Sequence, residues 1–282
     1  MYISPQLPLI CPLEGKRLAK NNNQLCCKNG HGFDIARQGY INLLPVQQKN
    51  SREPGDSKEM IASRHRFLES GHYTPISNTL NELIHGLLTH TDSINILDAG
   101  CGEGFYLQHC QRYLKAMSPD KKIACLGMDI SKPAIIAAAK RAKDITWVVG
   151  TNKHPPVEAG SIDIAICMFG YYDPAVFARI LKPGGYIILA DSGPEHLLEL
   201  RKIIYPYIKE SSMQEYVTAM DFRNENSLKY TMTLNKEQIA DLLTMTPHLY
   251  RAPRAGKEAA GEVLEMDLTV DVLFRTFQLK QV

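Results

Sequence analysis

The sequence predicts an α/β protein, an open, doubly wound parallel sheet preceded by a small N-terminal domain. Three observations carry this reading. From Ile94 onward, short apolar runs alternate with helix-patterned segments, the rhythm of βα units. The first run ends in a turn, INILDAGCGEG, that places Gly100, Gly102 and Gly104 within five residues. Ahead of it, Cys11–Asn42 is rich in Lys, Asn and Gly and too poor in large apolar residues to build a core unaided. Cys11, Cys26, Cys27 and His31 lie in that segment at zinc-ribbon spacing, so a bound metal could replace the missing core. Only three soft ligands are certain there unless Glu14 or both adjacent cysteines take part, and the alternative is a metal-free ribbon-like loop held by local hydrogen bonds.

In chain order, GYINLLPVQQKNSREPGD (39–56) reads as a short strand and then a polar, Pro/Gly-punctuated linker. Its Lys49 and Arg52 suit phosphate contact or simple solubility. Asp56, with Glu59 three residues on, starts a helix that runs to about Ser70 and stops at Gly71. A second helix, 75–88, carries Ile76, Leu80, Leu83, Ile84, Leu87 and Leu88 at helical spacing, a core-facing stripe. Strands are expected at 94–99, 123–129, 145–149, 162–168 and 185–191, with helices at 106–117, 132–143 and 174–181 between them. After Pro194 a longer helix should reach Glu210, followed by a polar stretch, a strand at 229–234, a helix at 236–244 and a final strand at 265–277. The last strand is expected to run antiparallel. The resulting division is a head at 1–44, a linker and first helix at 45–74, and the main domain at 75–282.

Bulk properties narrow the setting. Hydrophobic residues, 44% of 282, suffice for a sizeable core. No apolar run approaches the roughly 20 residues that span a bilayer, and the N-terminus lacks a basic head before an apolar stretch. The chain reads as cytoplasmic, with no membrane partner. Seven cysteines, an odd number, fit reduced thiols better than a disulfide framework. Charge is uneven: residues 1–66 hold ten Lys and Arg against five Asp and Glu, +5, which leaves −3 for the remainder of a chain of net charge +2. A basic head suits an anionic partner, nucleic acid first.

The glycine turn and its acids define a ligand. Asp129 ends the second strand 31 residues after Asp98 ends the first, so both carboxylates face one crevice at the carboxyl end of the sheet. Asp129 can accept two hydrogen bonds from a ribose diol, and Asp98 can hold the turn or attract a cationic end. Glu103 at the helix start would repel a pyrophosphate but could meet an ammonium. A ribose and a positive charge without a pyrophosphate describe S-adenosylmethionine.

INILDAGCGEG, GMDI and LKPGGYIIL resemble the motifs of class I methyltransferases. CPLEGKRL, HGFDIARQGYINLLP, REPGDSKEM, RHRFLESGHYTP, PEHLLEL and LLTMTP resemble the RlmA-type 23S ribosomal RNA guanine-N1 methyltransferases over nearly the whole chain. The resemblance implies a Rossmann-like class I methyltransferase sheet, a zinc-ribbon head for the RNA, and a ribosomal RNA hairpin as partner, with a homodimer as the candidate assembly. It implies cofactor contacts at Tyr73, Gly102, Glu103 and His196, beside Asp98, Gly100, Gly104 and Asp129. It also implies zinc ligands at Cys11, Cys27 and His31. Glu14 stands where the family has its second cysteine, so Glu14 or Cys26 completes the set. MFGYYDP, after the fourth strand, departs from the family's tract beside the acceptor pocket.

Transfer to a ring nitrogen needs no covalent nucleophile, which leaves Cys167 as a strand residue. The guanine N1 proton must leave, and Asp173 or a water is the expected acceptor. Phe169, Tyr171 and Tyr172 are candidates to receive a splayed-out base. The competing readings are a small-molecule methyltransferase and a non-catalytic S-adenosylmethionine-binding RNA-binding protein.

Overall fold

A computed structural model describes residues 4, 7–49, 51–88, 92–208 and 220–280. The head contributes three short antiparallel strands, β1 (Ala19–Asn21), β2 (Gln24–Cys26) and β3 (Gly32–Asp34). The next strand, β4 (Tyr40–Asn42), pairs in parallel with a strand of the main sheet, Tyr40 opposite Trp147. Two helices follow, α1 (Lys58–Glu69) and α2 (Thr74–Gly86). The N-cap of α1 is Ser57, which accepts from the Met60 N–H, and the expected cap Asp56 pairs with Arg64 instead. On α2, Ile76, Leu80 and Ile84 are fully buried, as the apolar stripe requires.

The main domain then alternates: β5 (Ser93–Ala99), α3 (Phe105–Met117), β6 (Lys122–Asp129), α4 (Lys132–Arg141), β7 (Thr146–Val149), β8 (Ile162–Met168), α5 (Pro174–Ile180) and β9 (Leu181–Ser192). It closes with α6 (Leu198–Ile204), β10 (Met220–Asn235), α7 (Lys236–Met245), α8 (His248–Arg251), α9 (Arg254–Gly261) and β11 (Glu265–Leu279). The sheet order is β10-β11-β9-β8-β5-β6-β7-β4, with β11 antiparallel to both its neighbours. This is the class I methyltransferase architecture, and its strand order reverses at β5, which opens the crevice above Asp98.

Some expected elements change length. The helix after Pro194 is only Leu198–Ile204, and its expected end at Glu210 lies outside the described residues. By contrast, β10 extends far beyond the expected 229–234 because β11 offers a partner along its whole length. Its polar first half, DFRNENS, is an edge strand with charged side chains on its surface.

Each face of the sheet buries its own core. One holds Ile94, Ile96 and Trp147 under α2, α3 and α4. The other gathers Leu97, Leu126 and Val148 with α5 and, from the head, Leu7, Leu9, Leu18 and Leu25. The head is thus tied to the sheet by shared apolar burial, by β4, and by the Ile10 N–H donating to the Pro156 carbonyl.

Trp147 fixes the approach of β6 and the glycine turn. It is fully buried, and its indole N–H donates to the Ala142 carbonyl at 2.8 Å. A Cβ on Gly127 would overlap the Trp147 ring, and one on Gly104, at φ +82°, would sit 2.5 Å from it. Gly127→Ala is therefore expected to destabilise the protein by about 1–3 kcal/mol through overpacking. Gly261→Ala, at a helical site with nothing within 4 Å, should be neutral or stabilising by up to about 1 kcal/mol. Urea unfolding followed by Trp147 fluorescence measures both, and equal midpoints would contradict this packing.

Candidate active site and metal centre

The glycine turn is stitched to the neighbouring strand: the N–H groups of Gly100 and Cys101 both donate to the Met128 carbonyl, at 2.8 and 3.0 Å. Asp129, at the end of β6, accepts from the Gly102 N–H at 2.9 Å and from the Ser131 N–H at 2.8 Å. Each carboxylate oxygen keeps lone-pair capacity for a further donor. Beneath the turn, Asp98 is 1% exposed and, among the described residues, neither of its side-chain oxygens has a hydrogen-bond partner. Burial and the nearby Asp129 push its carboxyl up to about 8. A buried polar group without a partner is costly, and the cost is relieved when a ligand supplies the donor.

Tyr73, Asp98, Gly100, Gly102, Glu103, Asp129 and His196 all line one cavity of about 400 Å³. Gly104 stands behind the wall as the left-handed N-cap of α3. Glu103, which the sequence places to meet a ligand ammonium, has protein partners. In the fold its buried carboxylate accepts from the Arg141 guanidinium, at 2.7 and 2.8 Å from Nη2, and lies 3.1 Å from His65 Nδ1. Arg141 also bonds Glu69, which makes Glu103 part of a fixed ion-pair wall.

Tyr73 Oη lies 3.5 Å from His196 Nε2, while His196 Nδ1 accepts from the Asp271 N–H at 3.3 Å. That acceptor role assigns the ring proton to Nε2. Burial holds the ring neutral, with its pKa pushed down to about 4. Phe169 stacks over His196 with centroids 6.1 Å apart and rings inclined by 26°. Its φ of +53° is rarely adopted by a bulky residue, and the Phe169 N–H donation to the Ala190 carbonyl holds it there. Of the three aromatics in the departing tract, only Phe169 lines the cavity. Tyr172 is buried against Phe177, and Tyr171 is exposed.

Asp173 is not brought to this cavity. Its carboxylate accepts from the Ala175 and Val176 N–H groups, at 3.0 and 3.3 Å, as the N-cap of α5. Sequence reasoning missed Arg64 and the segment from Met245 to His248 as cavity walls. Arg64 lies over Gly102, pairs with Asp56 and donates to the Met245 carbonyl at 3.0 Å. The available signal was the LLTMTP block itself, which has no chemical feature that marks it as a wall.

In the head, two tight turns present ligands. The Gly15 N–H donates to the Cys11 carbonyl, and the Gly30 N–H donates to the Cys27 carbonyl. The ligand atoms of Cys11, Cys27 and His31 lie within 4.8 Å of one another, with His31 Nδ1 3.7 and 3.5 Å from the two sulfurs. Tetrahedral zinc with these donors needs ligand atoms roughly 3.5 Å apart, so the trio fits the ion. Glu14 flanks the same space, Oε1 3.6 Å from His31 Nδ1 and Oε2 3.8 Å from Cys27 Sγ. Cys26 Sγ instead faces Gln24 Oε1.

The chain is similar to known proteins over nearly its whole length. Residues 9–52 match the family model described as RlmA, N-terminal, a zinc ribbon, and residues 96–185 match a methyltransferase domain. A 23S rRNA (guanine(748)-N(1))-methyltransferase of Streptomyces fradiae is 31% identical, covering 94% of this chain and 95% of its own. YxjB of Bacillus subtilis strain 168, provisionally named a 23S rRNA (guanine-N(1)-)-methyltransferase, is 30% identical over 93% and 94%. A Micromonospora griseorubida protein under the same provisional name is 28% identical over 95% of each chain.

Asp98→Asn is expected to raise the thermal midpoint of the ligand-free protein at pH 7. There the folded carboxyl must hold a proton that the unfolded one has lost. The destabilisation removed by the substitution grows as pH rises from the unfolded value toward about 8. It vanishes below about pH 4, where both states are protonated. Thermal unfolding at the two pH values measures it, and no gain at pH 7 would contradict the burial argument.

Proposed function

Because the chain belongs to the family of 23S rRNA (guanine-N1-)-methyltransferases, we propose that it transfers a methyl group from S-adenosylmethionine to N1 of a guanine in 23S ribosomal RNA. The observation that supports this most is whole-chain likeness that includes the head, joined to a cavity lined by the acids Asp98, Glu103 and Asp129. In this reading the head, 1–44, serves the RNA, the linker and first helix, 45–74, lend Arg64 and Tyr73 among others to the donor cavity, and 75–282 supply the rest of it. No helix among the described residues is long and apolar enough to cross a membrane, and the reading places the protein in the cytoplasm with its substrate. It also has the RNA as a hairpin and the protein as a homodimer, to be read from footprinting and sedimentation.

Bound in the cavity, S-adenosylmethionine supplies an electrophilic methyl group on a sulfonium. Asp129 accepts from the ribose hydroxyls with its remaining lone pairs. Asp98, ionised in the presence of a cation, would meet its positive charge, and Tyr73 and His196 would offer polar contacts from the same lining. Phe169 gives the target base a flat surface at the cavity mouth. These residues orient donor and acceptor for an in-line displacement. In the head, Cys11, Cys27, His31 and Glu14 would hold zinc, whose role is to cross-link two turns that lack a core. A carboxylate carries the same single negative charge as the thiolate it replaces, so the charge of the site is preserved.

Incubation with labelled S-adenosylmethionine and unmodified 23S RNA is expected to place label on a guanine N1, mapped by nuclease digestion and mass spectrometry. RNA binding without label would support the non-catalytic reading, and label on small molecules alone would support the small-molecule one. Metal analysis of the purified protein is expected to find zinc. Cys26→Ser should retain it, and Glu14→Gln should weaken it by about tenfold or more in chelator competition. Loss of zinc in Cys26→Ser but not in Glu14→Gln would reverse the ligand assignment.

A further inference from the structure

The guanine N1 proton needs an acceptor, and the groups that line the cavity are nearly all committed. Asp56 is paired with Arg64, Glu103 with Arg141, and Asp129 with two backbone N–H groups. Asp98 sits beneath the glycine turn, at the donor end. Burial pushes the hydroxyls of Tyr73 and Tyr106 and the Cys101 thiol upward, so each holds its proton. His196 uses its acceptor nitrogen on the Asp271 N–H, and its other nitrogen carries hydrogen.

His248 remains. It lines the cavity at the start of α8, with Nδ1 2.9 Å from Tyr205 Oη and the two rings in edge contact. Among the described residues its Nε2 has no hydrogen-bond partner. We propose that His248 Nε2 takes the N1 proton of the target guanine, with Nδ1–H donating to Tyr205 Oη, an inference that rests on the guanine-N1 reading above. As the proton passes to Nε2, the electron pair of the N1–H bond forms the bond to the methyl carbon. The carbon–sulfur bond breaks with its pair left on sulfur, and the positive charge of the sulfonium ends on the imidazolium. Charge is therefore conserved within the cavity.

The surroundings keep the ring in the form that accepts. Burial and the guanidinium groups of Arg201, from α6, and Arg251, from α8, lower its affinity for a resident proton. His196, which also lines the cavity, is itself neutral. An imidazole held toward its neutral form in the lining of the cavity suits a general base.

The test is single-turnover methylation of 23S RNA by wild type, His248→Gln and Tyr205→Phe across pH, with S-adenosylhomocysteine binding measured by calorimetry. His248→Gln should lose about a hundredfold or more in rate at pH 7. It should recover toward alkaline pH, where guanine N1 gives up its proton to solvent, and its ligand binding should stay within threefold. Tyr205→Phe should show a smaller loss of the same pH form. A wild-type rate in His248→Gln at pH 7 would overturn the assignment, as would a loss that alkaline pH does not repair or that parallels lost binding. Wild type that puts no methyl group on guanine would overturn the function itself, and the same assay separates the two failures.

Discussion

Two carboxylates at the carboxyl ends of adjacent parallel strands set the terms for the rest of the fold. Asp98 and Asp129 sit one strand apart where the sheet order reverses, and their mutual repulsion in a buried site would be unfavourable without compensation. Asp129 is compensated by the Gly102 and Ser131 N–H groups, and Asp98 has no hydrogen-bond partner among the described residues. The surrounding architecture holds this arrangement in place. Trp147 presses on Gly104 and Gly127, the Met128 carbonyl ties down the turn, and Arg141 locks Glu103 into the adjoining wall. A site that keeps an acid unpaired in the free state is preorganised for a cation.

The head is coupled to this site through the sheet. β4 adds to the edge beside β7, the strand that carries Trp147, and the ribbon shares an apolar cluster with the opposite face of the sheet. An RNA held by the basic head would thus be positioned relative to the donor cavity by covalent continuity and packing. The α1 helix extends this link, since Arg64 bridges Asp56, the glycine turn and the Met245 carbonyl. Both α1 and the segment around His248 line the cavity.

Much of the central sheet was legible because its strands are fully buried apolar runs bounded by turns; 162–168 agrees residue for residue. The crevice was legible for the same reason, since glycines and acids at neighbouring strand ends converge on one place, and Asp98, Gly100, Gly102 and Asp129 line one cavity. Pairing decided what sequence did not. β10 is long because β11 is there to receive it, and β4 joins the main sheet only through its long-range partner β7. Asp56 lost its capping role to Ser57 because an arginine two turns along competes for its carboxylate. Asp173, read as a base, is a cap, and His248, an ordinary-looking histidine after a proline, reaches the cavity only through the packing of α7 and α8.

The central claim, that an unpartnered buried acid receives a cationic methyl donor, is tested most directly by calorimetric titration of the protein with S-adenosylmethionine. Titration at pH 7 in buffers of different ionisation enthalpy reads the protons exchanged on binding. Asp98 is protonated when alone and ionises against the bound cation, so the account predicts saturable binding with net proton release, absent in Asp98→Asn. Binding without proton release, or no binding at all, would contradict it.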